Sequence, residues 1–262
     1  MAEGKQTDSS TFRIRLAEVA FDVQPLSADL AEFCARYIEE GPERQGGEAD
    51  HLIRLTDDDL RFEDELTLQI LQQHAISREE SEQLALCRKA AEKLVLSDTL
   101  LMHGAAIRFK GRAYIFTAPS GTGKTTHVSL WEKRFGDQVT IINGDKPFLK
   151  IRQDGVFVYG SPWSGKEQQN ANVSAPLAGI ACLQQAEENR AEPMGHQEKW
   201  EFLLNQMNRS LGPQQMAHAL HLLDRLIGSV PIFRLCCDPH PQAVETALAA
   251  FRKYEICTRS RK

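Results

Sequence analysis

The segment Ala118-Pro119-Ser120-Gly121-Thr122-Gly123-Lys124-Thr125-Thr126 carries the densest chemical signal in the chain. It fits G-x-x-x-x-G-K-[ST], with Ala118 in place of the first glycine. Gly121 and Gly123 let the backbone turn its N–H groups inward, which makes a nest for anionic oxygens. Lys124 brings a point charge suited to the outer phosphates of a nucleotide, and Thr125 a hydroxyl suited to Mg²⁺. A helix starting at Lys124 aims its positive end at the same anion. Ser120, Gly121, Thr122, Gly123, Lys124, Thr125 and Thr126 are therefore the candidate nucleotide-binding residues. A Mg²⁺-bound phosphate also needs an acid at the end of a neighbouring strand. Asp145 closes the apolar run 139–143 twenty residues past Thr125, and joins Thr125 as a candidate metal ligand. Its plainer use is a turn cap before Lys146-Pro147.

Other reactive side chains are weaker signals. His218 and His221 stand three apart on an expected helix, but no third ligand is evident for a zinc site. Asp57-Asp58-Asp59 lacks the alternating acids and the glycine of a calcium loop, and reads as a solvated turn. Trp163 and Lys166, on a Ser/Gly-rich loop, are candidates for covering a nucleotide or touching an acceptor. Arg234 and Arg209 are candidates for neutralising charge, though nothing local separates them from solvated arginines. Six cysteines lie scattered without C-x-x-C spacing. Cys236 and Cys237 sit in an apolar run and read as small buried thiols in a reducing, cytoplasmic setting.

These residues need a scaffold. The periodicity predicts one or two strands over 12–23, a helix over 28–40, a polar loop over 41–50, a strand over 51–56 and a helix over 78–96. Ser77 and Glu80 form a capping box for that last helix. Beyond residue 97 the pattern becomes a regular α/β order. A hairpin spans 101–109 and 112–117, turning at Lys110-Gly111. The glycine-rich loop comes next, then a helix over 124–135, a strand over 139–143 and a hairpin over 148–152 and 156–159. A buried strand over 178–184, helices over 197–208 and 214–227, a strand over 232–235 and a helix over 241–254 complete it. The reading is an α/β fold in two domains: an α+β module over 1–97, and a nucleotide-binding domain of mixed sheet with flanking helices over 98–262.

Composition excludes several classes. A chain of 262 residues with 42% hydrophobic and 26% charged residues can bury a real core. Its 31 Lys+Arg against 36 Asp+Glu leave a formal net charge of −5, which gives no ground for a nucleic-acid or membrane partner. Apolar stretches fall far short of the ~20 residues of a membrane span. The segment MAEGKQTDSST has no apolar region of the kind a secretory signal needs.

The order His103-Gly104, then APSGTGKTT, then NGDKP resembles the HPr kinase/phosphorylase and phosphoenolpyruvate carboxykinase superfamily. It is most similar to the HPr-kinase-like proteins found beside ribosomal-peptide modification enzymes, the lasso-peptide kinases among them. The resemblance covers about residues 100–183, with an echo in VPIFRLCCDP; SPWSGK at 161–166 and NVSAPL at 172–177 belong to it. It implies a P-loop kinase core using ATP and Mg²⁺, and a serine hydroxyl of a peptide or protein as acceptor. It also implies roles at matching positions. His103, which by residue type alone reads as a satisfied core histidine, falls where those kinases turn a histidine to the transferred phosphoryl group. Lys124 and Thr125 fall on the nucleotide and metal ligands, and Asp145 on an acidic pair. The family's Asp-Asp pair is Gly144-Asp145 here, which leaves the proton-removing group open between Asp145 and Glu167. The long signature ending I-N-V-R is absent, which argues against HPr as the acceptor. The alternative function is a non-catalytic nucleotide-binding regulator or scaffold in a peptide-modification pathway. The 1–97 module, outside the resemblance, reads as peptide-holding, dimerising or structural, and a homo-oligomer is compatible with it.

Overall fold

A computed structural model describes residues 11–39, 47–71, 76–207 and 210–259. The first ten residues, most of the polar 41–50 loop and Arg209 lie outside the described residues. The chain divides into two compact units, Met1–Leu94 and Val95–Lys262.

In the first unit, β1 (Phe12–Leu16) and β2 (Val19–Gln24) form an antiparallel hairpin, and β3 (His51–Arg54) adds parallel to β2. The hairpin turns on Ala17 and Glu18, both at positive φ (46° and 76°), the twist that a two-residue turn between right-twisted strands requires. The helix expected over 28–40 is only a short α1 (Asp29–Phe33) and a 3₁₀ turn over Ala35–Tyr37. Sheet pairing overrides helical periodicity there: Ile38 bridges Ile14, and the Glu39 amide donates to the Arg13 carbonyl at 3.0 Å. The expected solvated turn at Asp57-Asp58-Asp59 is instead the first turn of α2 (Asp57–Leu71). Three acids at a helix start complement its dipole. The Thr56 hydroxyl accepts from the Asp59 amide (3.3 Å) while the Thr56 amide donates back to the Asp59 carboxylate (2.9 Å). α3 (Arg78–Leu94) carries the expected box, with the Ser77 amide on Glu80 (3.1 Å) and the Glu80 amide on the Ser77 hydroxyl (3.2 Å). Arg88 of α3 grips Glu63 (2.6 Å) and Asp59 (3.2 Å) of α2.

The second unit is a mixed nine-stranded sheet between two helical layers. Its strands are β4 (Thr99–Leu101), β5 (Ala105–Phe109), β6 (Arg112–Thr117), β7 (Val139–Asn143), β8 (Phe148–Ile151), β9 (Val156–Tyr159), β10 (Ser174–Gln185), β11 (Arg190–Pro193) and β12 (Ile232–Cys237). The order is β4-β8-β9-β10-β6-β5-β7, with β12 beside β10 and β11 beside β12. β6 and β12 run parallel to β10; the hairpin neighbours are antiparallel. Alternation sorts the layers. Tyr114, Phe116, Ala181 and Leu183 face α4 (Lys124–Phe135) and α7 (Gln242–Arg259), around a fully buried Trp131. Ile115, Ile180 and Cys182 face α6 (Pro213–Ser229) and Leu203 of α5 (His196–Leu204). The expected 101–109 strand is broken: β4 ends at Leu101, and Met102, His103 and Gly104 intervene before β5. That break exposes the histidine to the site.

Candidate functional site

β6 ends in buried Thr117, and the loop 118–123 leads directly into α4. Gly121 (φ 78°) and Gly123 (φ 109°) hold left-handed backbone, where a Cβ would meet no neighbour. The glycines are therefore needed for conformation rather than space. The Lys124 ammonium folds back to the Ala118 carbonyl at 3.0 Å. Burial pulls its pKa below the ordinary lysine value, against the opposing pull of Asp145. Thr122 closes the loop through its hydroxyl on the Pro119 carbonyl (2.9 Å). Ser120, Thr125 and Thr126 are exposed, with Thr125 and Thr126 in the first helical turn.

Asp145 follows β7 on a turn built by Asn143. The Asn143 side-chain oxygen accepts the Asp145 and Lys146 amides (2.8 and 2.6 Å), and its amide nitrogen donates to the Ser161 carbonyl (2.9 Å). Burial alone would push the Asp145 carboxyl up. The His103 ring, Lys146 and Lys124 outweigh it and hold the group below the usual carboxylate range. His103 places Nε2 3.3 Å from Asp145 Oδ1, and Nδ1 3.0 Å from Gln206 Oε1. Its backbone is clamped as well, with its amide on the Gln206 carbonyl (2.7 Å) and its carbonyl accepting the Thr117 hydroxyl (2.7 Å). The Gly104 amide donates to the Asp145 carbonyl (2.7 Å). The end of β6, His103 and Asp145 are thus tied into one cluster. Gln206, just beyond α5, carries no motif and was not singled out by any spacing.

Gly144 lies where the resemblance would put a second acid. A Cβ there would stand 2.9 Å from the Ser164 carbonyl oxygen. The segment filling that space is pinned: the Gly144 amide donates to the Gln169 carbonyl (2.9 Å) and the Asn170 side-chain Nδ2 to the Ser164 hydroxyl (2.8 Å). The expectation that Trp163 covers a nucleotide is corrected accordingly. Ser161 through Ser164 are buried, and Trp163, expected as an exposed cover, packs edge-on against Phe148 at 6.2 Å. Lys166 and Glu167 stand exposed on the turn beyond. Gly165 (φ 77°) abuts Asp145 so closely that a Cβ would lie 3.2 Å from its Cβ, but no hydrogen bond joins Glu167 to the cluster among the described residues.

Thr125 and Asp145 offer one hydroxyl and one ionised carboxylate. That set fits Mg²⁺, which takes one or two protein oxygens and fills the rest from phosphates and water. No group of three metal-binding side chains occurs among the described residues. His218, read as a poor zinc candidate, pairs with Asp98 at 2.9 Å. Arg234 borders a cleft of about 560 Å³ beside Ser120 and Gly121, but it pairs with Glu198 and, at 3.7 Å, with Glu192. Cys236 is buried and Cys237 half-buried. No helix among the described residues is long and apolar enough to cross a membrane.

No family model matches this chain, and no curated protein does. Among solved structures it has a distant likeness to the HPr(Ser) kinase/phosphatase from Coxiella burnetii. That likeness covers 62% of this chain and 95% of the other, at 12% identity and a TM-score of 0.35.

Proposed function

We propose that the second unit is an HPr-kinase-like, ATP- and Mg²⁺-dependent kinase that transfers the γ-phosphoryl group to a serine hydroxyl of a peptide or protein. The observation that carries this reading is the convergence of Lys124, Asp145 and His103 at the end of β6. Phosphoryl transfer asks mainly for positioning and charge neutralisation. The loop amides and Lys124 hold the phosphates, and Thr125 and Asp145 would hold Mg²⁺. The metal, when bound, neutralises charge on the phosphate oxygens. His103, with Nδ1 held on Gln206, sets Nε2 against the Asp145 carboxylate and orients it for the transferring group. In the transfer, the hydroxyl oxygen bonds to the γ-phosphorus, the bridging P–O bond breaks, ADP leaves and the hydroxyl proton passes to a base. Asp145 is the first candidate for that proton and Glu167 the second. For the first unit the reading is a peptide-holding role, with dimerisation and a purely structural role the competing uses, and the cytoplasm is the setting in which such a kinase works.

Closure of the second-acid position by the Ser164 backbone favours one other reading, a nucleotide-binding regulator without catalysis. Incubation of candidate peptides with Mg-ATP, read by mass spectrometry, separates the two. The wild type adds one phosphate and Lys124→Ala adds none if the protein is a kinase. Nucleotide binding without transfer to any peptide makes it a regulator. Binding itself is checked by melting: at 100 times Kd, Mg-ATP adds ~2.7 kcal/mol, or roughly 5–11 °C, and Lys124→Ala removes most of it.

A further inference from the structure

We propose that the outer edge of β3 in the first unit docks an extended peptide segment as a fourth strand, a segment that alternates acidic and apolar side chains along one face. The inference rests on the peptide-acceptor reading and names the place where such a peptide is held. In the order β1-β2-β3, the outer side of β1 is already taken by the Ile38 bridge to Ile14 and by the Glu39 amide on the Arg13 carbonyl. The outer side of β3 has no strand partner among the described residues. The Leu55 amide donates to the Gln24 carbonyl at 3.1 Å. His51, Ile53 and Leu55 therefore turn their backbone groups to β2, and Leu52 and Arg54 turn theirs outward. Lys89 Nζ takes the Arg54 carbonyl at 2.8 Å. The Leu52 amide and carbonyl and the Arg54 amide are left for an added strand.

Side chains on that edge select the occupant. Exposed edges are ordinarily guarded by charge, proline or a bulge. Leu52 instead stands 56% exposed, the most open of the large apolar side chains among the described residues. Arg54 lies two residues on, on the same face of the strand, and is exposed too. Its Nε meets only the neutral Gln24 side-chain oxygen (2.7 Å), and no carboxylate pairs with it among the described residues. Acids near in sequence are engaged elsewhere: Asp50 accepts the Ala20 amide (2.8 Å) and Asp59 holds Lys89 (2.6 Å). An added strand therefore meets an unneutralised cation and an apolar side chain at adjacent cross-strand positions. An acid two residues from an aliphatic side chain satisfies both, in either strand direction. Four residues of edge suit a short, reversible peptide contact rather than the area a stable dimer needs.

The test uses the full chain without nucleotide, so its failure leaves the kinase reading to the phosphate-transfer assay. The probe is the fluorescein-labelled peptide Glu-Thr-Val-Thr-Glu-Thr-Val-Thr, which alternates acid and valine on one face, and the comparison peptide has Lys for each Glu. By fluorescence anisotropy the wild type is expected to prefer the glutamate peptide. Arg54→Glu should weaken that peptide by roughly 2–30-fold and reverse the preference. Leu52→Pro removes an amide that β2 does not use, and should weaken both peptides by roughly 2–12-fold. Hydrogen exchange reads strand addition directly: the glutamate peptide should slow the Leu52 and Arg54 amides and leave that of Ile53, already turned to β2, unchanged. A wild type that does not bind the glutamate peptide, unchanged affinity in both variants, or protection that does not alternate overturns the proposal. Protection of Leu52 and Arg54 that grows with protein concentration in the absence of peptide gives the edge to a second copy and overturns it too. Should Leu52→Pro fail to fold, Arg54→Glu decides: a reversed preference upholds the proposal and an unchanged one refutes it.

Discussion

Restoring the side chain at Gly144 should damage the protein rather than repair it. A Cβ at this position meets the Ser164 carbonyl oxygen at 2.9 Å and the Gln169 carbonyl oxygen at 3.5 Å. Neither oxygen can retreat freely, because the Gln169 carbonyl accepts the Gly144 amide, Ser164 is held by Asn170 and Ser161 by Asn143. Overpacking against backbone of this kind costs ~1–3 kcal/mol. At 2–4 °C per kcal/mol, Gly144→Ala should melt roughly 2–12 °C below wild type. Gly144→Asp adds a second carboxylate beside Asp145 and should melt lower still. All three tryptophans, Trp131, Trp163 and Trp200, lie in the second unit, so their fluorescence reports its unfolding specifically. Gly228→Ala is the control of opposite sign. Gly228 is an exposed α6 residue whose Cβ would meet nothing, so the substitution should stabilise by ~0.5–1 kcal/mol. A Gly144→Ala protein melting within about 1 °C of wild type would show that the 161–170 segment yields, and that the departure from a paired acid has no steric basis.

Three other outcomes follow from the same geometry. Burial pulls His127 down to about 4 from an ordinary 6.5, so the unfolded chain takes up a proton first as pH falls. Stability of the second unit should be flat above 6.5 and decline by about 3 kcal/mol in total on the way to pH 4, and His127→Phe should flatten that window in denaturant titrations. Asp145 is held below the usual carboxylate range, so its contribution is present above the ordinary value and lost as pH falls through the lower folded one. Asp145→Asn should remove that part of acid unfolding and reduce metal-dependent turnover far more than nucleotide affinity. In the first unit, buried Glu82 accepts the Leu26 amide (2.6 Å), the Ser27 amide (3.1 Å) and the Ser27 hydroxyl (2.6 Å). Glu82→Ala strands these donors at ~1–3 kcal/mol or more, which hydrogen exchange at Leu26 and Ser27 should report as faster opening.

The legible parts of the chain were those governed by local chemistry. Glycines before Lys124-Thr125 demand positive φ whatever surrounds them, and Ser77 with Glu80 caps a helix without distant help. Lys110-Gly111 likewise turns its hairpin by its own dihedrals. Illegible parts depended on partners far off in sequence. α1 gives way to an extended Ile38 because β1 offers an unpaired edge. Of the acids read as solvent-facing, Asp57 and Asp58 are exposed, whereas Arg88 and Lys89 on α3 receive Asp59. β11 carries only four residues of mixed burial, too few for a period. In the site, Lys124, Thr125 and Asp145 were visible from motif and strand-end position. Gln206 was not, since its bond to His103 spans 103 positions. Trp163 was misplaced because glycine and serine neighbours suggest exposure, while its ring fills a gap beside Phe148.

The twelve-residue β10 sets the order in which such a chain can assemble. β5, β6 and β7, which carry His103, the phosphate loop and Asp145, are close in sequence, and two of them share a two-residue turn. β10 pairs with the other edge of β6, Phe116 against Ala181 and Thr117 against Cys182, after a loop closure of some sixty residues. Closing that loop must precede any gain from the pairing, so it belongs to the slow part of folding. Until it happens, β6 presents a bare apolar edge, the kind of surface through which folding intermediates associate. Leu183 and Pro239, which line a cleft of about 510 Å³ beside Thr122 and Gly123, come from β10 and from the chain beyond β12, so that cleft is complete only after the last strands dock. A ligand held in that cleft would consequently slow unfolding of the finished protein while leaving the early steps of its refolding at their own pace.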